Sequence, residues 1–388
     1  MTDQPTKQSS SQPDATSTDA LKTIQAAAEA SMMNYGEVQL VETFGHYEAE
    51  YAVIRKGAGL FDAPQLGVIK VTGEDRGDFL HRFVTNQVKE LKAGEFRRAF
   101  LLTRAGRIAA DMMIVAQEGQ HLLVLDRCDA QAVVDQLDKF LFAEDVQLAN
   151  VSDTHRVLAV HGPQAAMLLN ALGASDLHTL EPLHALPTTL ADKPALIYRY
   201  DLTGAMGLHI VLEIQHAGEV YKTLVSAMGG LTPEVQGGVK RPVTGRGIGW
   251  MAINTARIEA GTSLYHIDFG PDSLPHEAGC LEQAVSFTKG CYLGQEIVAR
   301  MQSLGHPKKL ITGLVFEDDR LPLSGGQVFD TDAATLIGGV TSSCLSPLKG
   351  NTAIALAMMK WGKHNVATKV VVTAEGAQVP AAVTKLSV

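Results

Sequence analysis

Phe287-Thr288-Lys289-Gly290-Cys291-Tyr292-Leu293-Gly294-Gln295-Glu296-Ile297-Val298-Ala299-Arg300 brings a cation, a thiol, an aromatic ring, two glycines and a carboxylate into fourteen residues. Packing alone does not call for that mixture. Glu296 and Arg300 stand four apart in a helix-favouring run, which predicts a helix just after the thiol. Cys291 then lies ahead of a helix N-terminus, where the dipole and the neighbouring Lys289 both favour the thiolate. The competing reading makes Cys291 a small buried filler, the commoner fate of a free cysteine. The two glycines predict a tight backbone path on either side of Cys291 and Tyr292.

Outward from this stretch, the chain is a long α+β pattern. Its 388 residues, 46% hydrophobic, suffice for a large core and for two or three domains. A net charge of −9 argues against a general polyanion binder, so nucleic acid is not an expected partner. Cys128, Cys280, Cys291 and Cys344 form no C-x-x-C pair and no zinc-finger spacing, a pattern that fits free thiols in a reducing cytoplasm. No run approaches the ~20 apolar residues of a membrane helix. The N-terminus lacks a secretory plan and its first arginine is Arg55, so no membrane partner is expected and the expected location is cytoplasmic.

In chain order, residues 1–20 read as a disordered tail, 21–33 as a short tail helix or linker, and 1–34 together as a segment outside the folded body. Residues 48–60 read as a helix with 57–62 as its exit. Alternation predicts strands at 66–71, 98–103, 107–115 and 121–125, with a hairpin turn at Ala105-Gly106, and helical spacing covers 75–88 and 130–142. A second round of strands and helices follows, without the long hydrophobic runs of a doubly wound parallel sheet, so mainly antiparallel sheets are expected over 35–305 as two α+β subdomains. From 306 to 388 short strands separated by Gly, Pro, Ser and Asp predict a small β-barrel. His266, His276 and His306 are too irregularly spaced to predict a metal site, and Gly245-Arg246-Gly247-Ile248-Gly249 lacks the spacing of a dinucleotide loop.

Lys289-Gly290-Cys291-Tyr292-Leu293-Gly294-Gln295-Glu296 resembles the K-G-C-[YF]-x-G-Q-E signature of the YgfZ-type folate-binding proteins of iron–sulfur cluster assembly and repair, within the glycine cleavage T-protein superfamily. Further passages resemble that superfamily. They are Gly59-Leu60-Phe61-Asp62 with Gly67-Val68-Ile69-Lys70-Val71-Thr72-Gly73, Leu102-Thr103-Arg104-Ala105-Gly106-Arg107-Ile108-Ala109-Ala110-Asp111, Arg257-Ile258-Glu259-Ala260-Gly261, and Gly338-Gly339-Val340-Thr341-Ser342. The resemblance implies a T-protein-like fold with several subdomains around a tetrahydrofolate pocket. It also implies Asp111 as the acid/base group facing the folate nitrogens, and Cys291 with Lys289 as the reactive pair near that pocket. Tyr292 and Gln295 enter the folate site by the same resemblance. Arg257 is either a clamp for a folate carboxylate or half of a structural ion pair. His209 stands where T-proteins carry an acidic residue for the pterin, and a neutral imidazole offers one acceptor where a carboxylate offers two.

Three functions stay open at this stage. The first is a tetrahydrofolate-binding accessory protein with iron–sulfur client or assembly proteins as partners. The second is an aminomethyltransferase that moves a one-carbon unit from a lipoyl carrier to tetrahydrofolate, which His209 and the cysteine signature count against. The third is a scaffold that has lost its ligand.

Overall fold

The computed structural model describes residues 15–232, 243–317 and 319–387. Two antiparallel sheets stack face to face. The first has the order Phe96–Leu102, Ile108–Gln117, Gln120–Asp126, Leu66–Thr72, Gln147–Asn150. The second has the order Ala185–Leu190, Lys193–Arg199, Gly207–Glu213, His155–His161, Ala58–Asp62, Gly245–Gly247, with only the last pair parallel. The chain is thus α+β with mainly antiparallel sheets, followed by a closed six-stranded barrel built from Lys309–Phe316 onward.

Period-two alternation sorts each strand onto two layers. In Ile108–Gln117, Ala110, Met112 and Ile114 face outward against Phe79, Leu80, Val133 and Leu137 of the covering helices, while Val115 faces the other sheet. In Gly207–Glu213, Leu208, Ile210 and Leu212 meet Val220 and Leu224 of the helix Ile214–Met228, while Val211 faces inward. Phe61, Val68, Phe96, Val124, Val157 and Leu196 fill the layer between the sheets. The barrel joins this body through Ile311, Cys344, Ile354 and Leu356, which pack on Ile258, Phe269, Cys280, Tyr292 and Val298.

Two expectations are corrected. Residues 57–62 are not a helix exit: the helix Tyr47–Lys56 stops at Gly57, and Ala58–Asp62 is a fully buried interior strand of the second sheet, next to its edge. A Cβ on Gly57 would lie 2.2 Å from the Thr244 carbonyl oxygen, so this C-cap glycine also serves a close backbone approach. The expected tail extends into the described residues at 15–20, where the helix Ala15–Ala27 already begins. That helix is docked, with Leu21 in the core and Gln25 Nε2 donating to Asp62 at 2.9 Å. Few bulky residues made it read as a tail, but a single leucine and a buried glutamine anchor it. Residues 1–14 of that expectation lie outside the described residues. No helix among the described residues is long and apolar enough to cross a membrane.

Candidate functional site

The same alternation carries polar side chains onto the inner faces. Asp111 precedes Met113 and Val115 on one strand, Arg98 lies between Phe96 and Phe100, His209 precedes Val211, and His161 follows Val157 and Ala159. Where the two inner faces turn from apolar to polar they enclose a cavity of about 130 Å³, ring-sized on the scale of a pocket that admits benzene. Arg98, Asp111, His161, Tyr198, Tyr200 and His209 line it, with Tyr35, Asp126, Trp250 and Tyr265 among its other walls.

Asp111 pairs with Phe100 across the hairpin and Arg98 pairs with Met113, so the two side chains are diagonal neighbours, a separation that an arginine spans. Arg98 Nε and Nη2 donate to Asp111 Oδ1 and Oδ2 at 3.0 and 2.6 Å, a two-bond fork. Its remaining Nη1 donates to the Tyr200 hydroxyl at 3.2 Å and to Gln283 Oε1 at 3.4 Å. Burial pulls the guanidinium down, but the Asp111 charge more than offsets it and holds Arg98 well above its usual value. The fork joins the two side chains in a mostly closed site, with Arg98 3% and Asp111 11% exposed.

His209 stacks on Tyr198 at 4.9 Å between ring centroids and meets His161 edge-on at 5.4 Å. Gly207 makes room for this pair, since a Cβ there would come within 3.0 Å of His161 Nδ1. Among the described residues none of the four ring nitrogens makes a hydrogen bond of good geometry, the Tyr200 backbone being only a loose neighbour of His209. Burial pushes His161 well below its usual value and His209 down to about 4, outweighing the opposing pull of the Tyr200 backbone and the Asp201 carboxylate on His209. Both are neutral imidazoles at pH 7. An imidazole with a folded pKa below its unfolded 6.5 binds fewer protons when folded. Stability therefore falls as pH drops from about 6.5 toward 4 and is insensitive to this group above 6.5. His209→Phe, which preserves the stack on Tyr198, is expected to shrink the shift in urea midpoint between about pH 7 and pH 5. An unchanged shift would place the acid sensitivity elsewhere.

The signature stretch does not line this cavity. The helix Gln295–Leu304 begins after Gly294, and Cys291 is exposed ahead of it. Lys289 Nζ donates to the His81 and Val84 carbonyls at 2.6 and 2.5 Å over the Tyr292 ring at 4.9 Å. Burial lowers it to about 7. Tyr292 is buried, and the Gln295 backbone N–H donates to its carbonyl. Arg257 is spent in the interior on Asp268, Asn254 and Ser342. Its partner choice is the structural ion pair. Asp111 and His209 are thus brought together, while Arg257, Lys289, Cys291, Tyr292 and Gln295 lie off the cavity wall.

What the signature builds is a dock. Gly294, at φ 82°, would place a Cβ 2.6 Å from the Thr103 carbonyl oxygen, and Gly106 would meet Ile297 at 2.7 Å. The hairpin tip and the start of the helix approach through this glycine pair. Gly294→Ala is expected to cost at least about 1–2 kcal/mol from the left-handed backbone alone, read by urea unfolding. Gly290→Ala faces open space and should cost less than about 0.5 kcal/mol. Equal effects would refute the dock.

The GCVT N-terminal domain model matches residues 21–289, and the glycine cleavage T-protein C-terminal barrel domain model matches 308–388. The chain belongs to the glycine cleavage T-protein family. This T-protein family member is 29% identical over 337 residues to a Streptomyces coelicolor aminomethyltransferase, covering 85% of this chain and 86% of that protein. It is 29% identical to the Halalkalibacterium halodurans aminomethyltransferase, covering 88% and 89%. The solved glycine cleavage system aminomethyltransferase T from Bartonella henselae superposes with a TM-score of 0.82 at 25% identity, covering 95% of this chain and 96% of that one.

Sequence reasoning missed Arg98, His161, Tyr198 and Tyr200. Their signal was present as polar residues in phase with the apolar inner face of a strand.

Proposed function

We propose that this chain binds a reduced folate in the inter-sheet cavity and passes a one-carbon unit to it, as an aminomethyltransferase-type enzyme. The observation that carries the reading is one cavity in which the Arg98–Asp111 pair joins four imidazole nitrogens that make no well-formed hydrogen bond among the described residues. Orphaned buried polar atoms call for a polar ligand, because leaving each unpaired costs roughly 1–3 kcal/mol. Tetrahydrofolate, when bound, supplies the amine nitrogen that accepts the one-carbon unit. A neutral imidazole gives one donor and one acceptor, so His161 and His209 suit a ring edge on which both alternate. The Asp111 carboxylate, paired with Arg98, accepts a hydrogen bond from an N–H and favours positive charge on that nitrogen. The naming of full-length relatives as aminomethyltransferases supports the transfer step.

Trp250 lines the cavity, so tetrahydrofolate titration is expected to quench its fluorescence in the wild type and in Cys291→Ala alike. Transfer from a lipoyl-bound aminomethyl donor is expected from both. Folate binding without transfer would move the second reading ahead: a folate-binding accessory of iron–sulfur cluster assembly or repair. The feature favouring it is Cys291, exposed on the docked signature with no hydrogen-bond partner among the described residues. That reading requires wild type, and not Cys291→Ala, to restore iron–sulfur enzyme activity in cells lacking the native factor. No quenching at all would sink both.

A further inference from the structure

We infer that Asp126, Cys128, Asp129 and His266 form a binding site for a late first-row divalent cation, Zn²⁺ by donor type, on the rim of the cavity. The site stands apart from the folate reading. His266 lies 138 residues from Cys128 in sequence, yet its Nε2 is 3.7 Å from the thiol sulfur. One ligand atom each from Asp126, Cys128 and His266 lie within 4.8 Å of one another. In a tetrahedral zinc site, sulfur at about 2.3 Å and nitrogen at about 2.05 Å from the metal stand about 3.6 Å apart. The observed Cys128–His266 spacing already has that span.

Asp129 supplies the fourth donor. Its Oδ1 lies 3.8 Å from the Cys128 sulfur, and its Oδ2 lies 2.7 Å from His266 Nε2. With the cation in place that N–O hydrogen bond opens to about 3.3 Å, the separation of nitrogen and oxygen in the same tetrahedron. The cation displaces the thiol proton to solvent, and the imidazole takes its Nδ1–H tautomer so that Nε2 is free to bind. Two carboxylates and a thiolate around one neutral imidazole concentrate negative charge that a dication largely neutralises.

Outer contacts orient the donors. The Tyr35 hydroxyl donates to Asp126 Oδ2 at 2.8 Å, and the Tyr265 ring lies against the His266 ring, tilted by 49°, with centroids 4.2 Å apart. Such second-shell bonds commonly fix metal-ligating carboxylates and imidazoles. The mixed sulfur, nitrogen and oxygen set selects Zn²⁺ or Co²⁺ over Mg²⁺ or Ca²⁺, which take oxygen ligands. A bound cation would tie the turn after Gln120–Asp126 to the turn at 264–269, beside the mouth that Asp126 and Tyr265 line.

Metal-free full-length protein, kept reduced with a phosphine, is titrated with Zn²⁺ against a chromophoric chelator and separately with Co²⁺. One equivalent of Zn²⁺ is expected to bind, and Co²⁺ is expected to give thiolate charge-transfer and tetrahedral ligand-field bands. Cys128→Ser and His266→Gln should each weaken Zn²⁺ binding at least about ten-fold, and Cys128→Ser should abolish the charge-transfer band. Zn²⁺ should raise the melting temperature of the wild type and not of Cys128→Ser. Cys128 is exposed, so its serine variant is expected to fold, and Cys291→Ser serves as a control that keeps every signal. No stoichiometric binding, equal binding by Cys128→Ser, or a band lost in Cys291→Ser instead would overturn the assignment.

Discussion

Arg257→Met is expected to lower the unfolding free energy by about 3–5 kcal/mol, the usual result of breaking a buried ion pair by removing one partner. The Arg257 and Asp268 side chains are both completely buried. Arg257 also donates to Asn254 Oδ1 at 3.0 and 2.8 Å, to Ser342 Oγ at 2.5 Å and to the Thr262 carbonyl at 3.2 Å. One guanidinium therefore joins the helix Trp250–Glu259, the turn after it and the barrel strand Leu336–Ser346. Without it Asp268 keeps neutral donors, from the Thr341 and Ser342 hydroxyls and the Leu264 N–H, but no counter-charge. Adding Asp268→Asn to Arg257→Met should recover part of the loss, since it removes the stranded charge. Urea unfolding gives the stability and Trp250 quenching gives the folate affinity of the folded fraction, which should not change. A stable Arg257→Met with folate affinity down ten-fold or more would restore the carboxylate-clamp reading.

The barrel and the antiparallel sheets were legible because alternation over several residues is a local signal, as in Leu66–Thr72 and Ile108–Gln117. Ala58–Asp62 was not, because all five residues are buried, Asp62 included, so neither face shows a polar alternation. Asp111 and His209 were picked out through resemblance, and both line the cavity. Arg98 was passed over as one strand residue among others, because its meaning depends on a diagonal partner across the hairpin. Cys128 and His266 were beyond reach for the same reason at longer range: regular spacing reveals ligands on one element, whereas these sit on two turns 138 residues apart. The cysteine signature drew attention for its chemistry, but much of its composition is explained by packing. Gly294 admits the hairpin tip, Lys289 caps two carbonyls, and Tyr292 lies beneath the ammonium.

Asp111→Asn is expected to lower the rate of one-carbon transfer about 10²–10³-fold, the scale on which a positioned electrostatic group acts, while folate affinity changes only a few-fold. The amide keeps the shape and one acceptor oxygen but loses the charge that favours a cationic nitrogen. Arg98→Met tests the other half of the pair. Arg98 is a positioning residue, acting through Asp111, and its removal frees both carboxylate oxygens while leaving them mostly enclosed. A buried carboxylate deprived of its cation takes up a proton more readily, so the acidic limb of the pH–rate profile should move to higher pH. Arg98→Lys retains a cation without the planar fork, and its acidic limb should stay near that of the wild type even though the contact to Tyr200 is lost. A purely structural Arg98 would give a different set: lower stability in both variants, in proportion to lost contacts, with the pH profile unmoved. The profile of Arg98→Met set against that of Arg98→Lys therefore separates a charge held for chemistry from a charge held for packing.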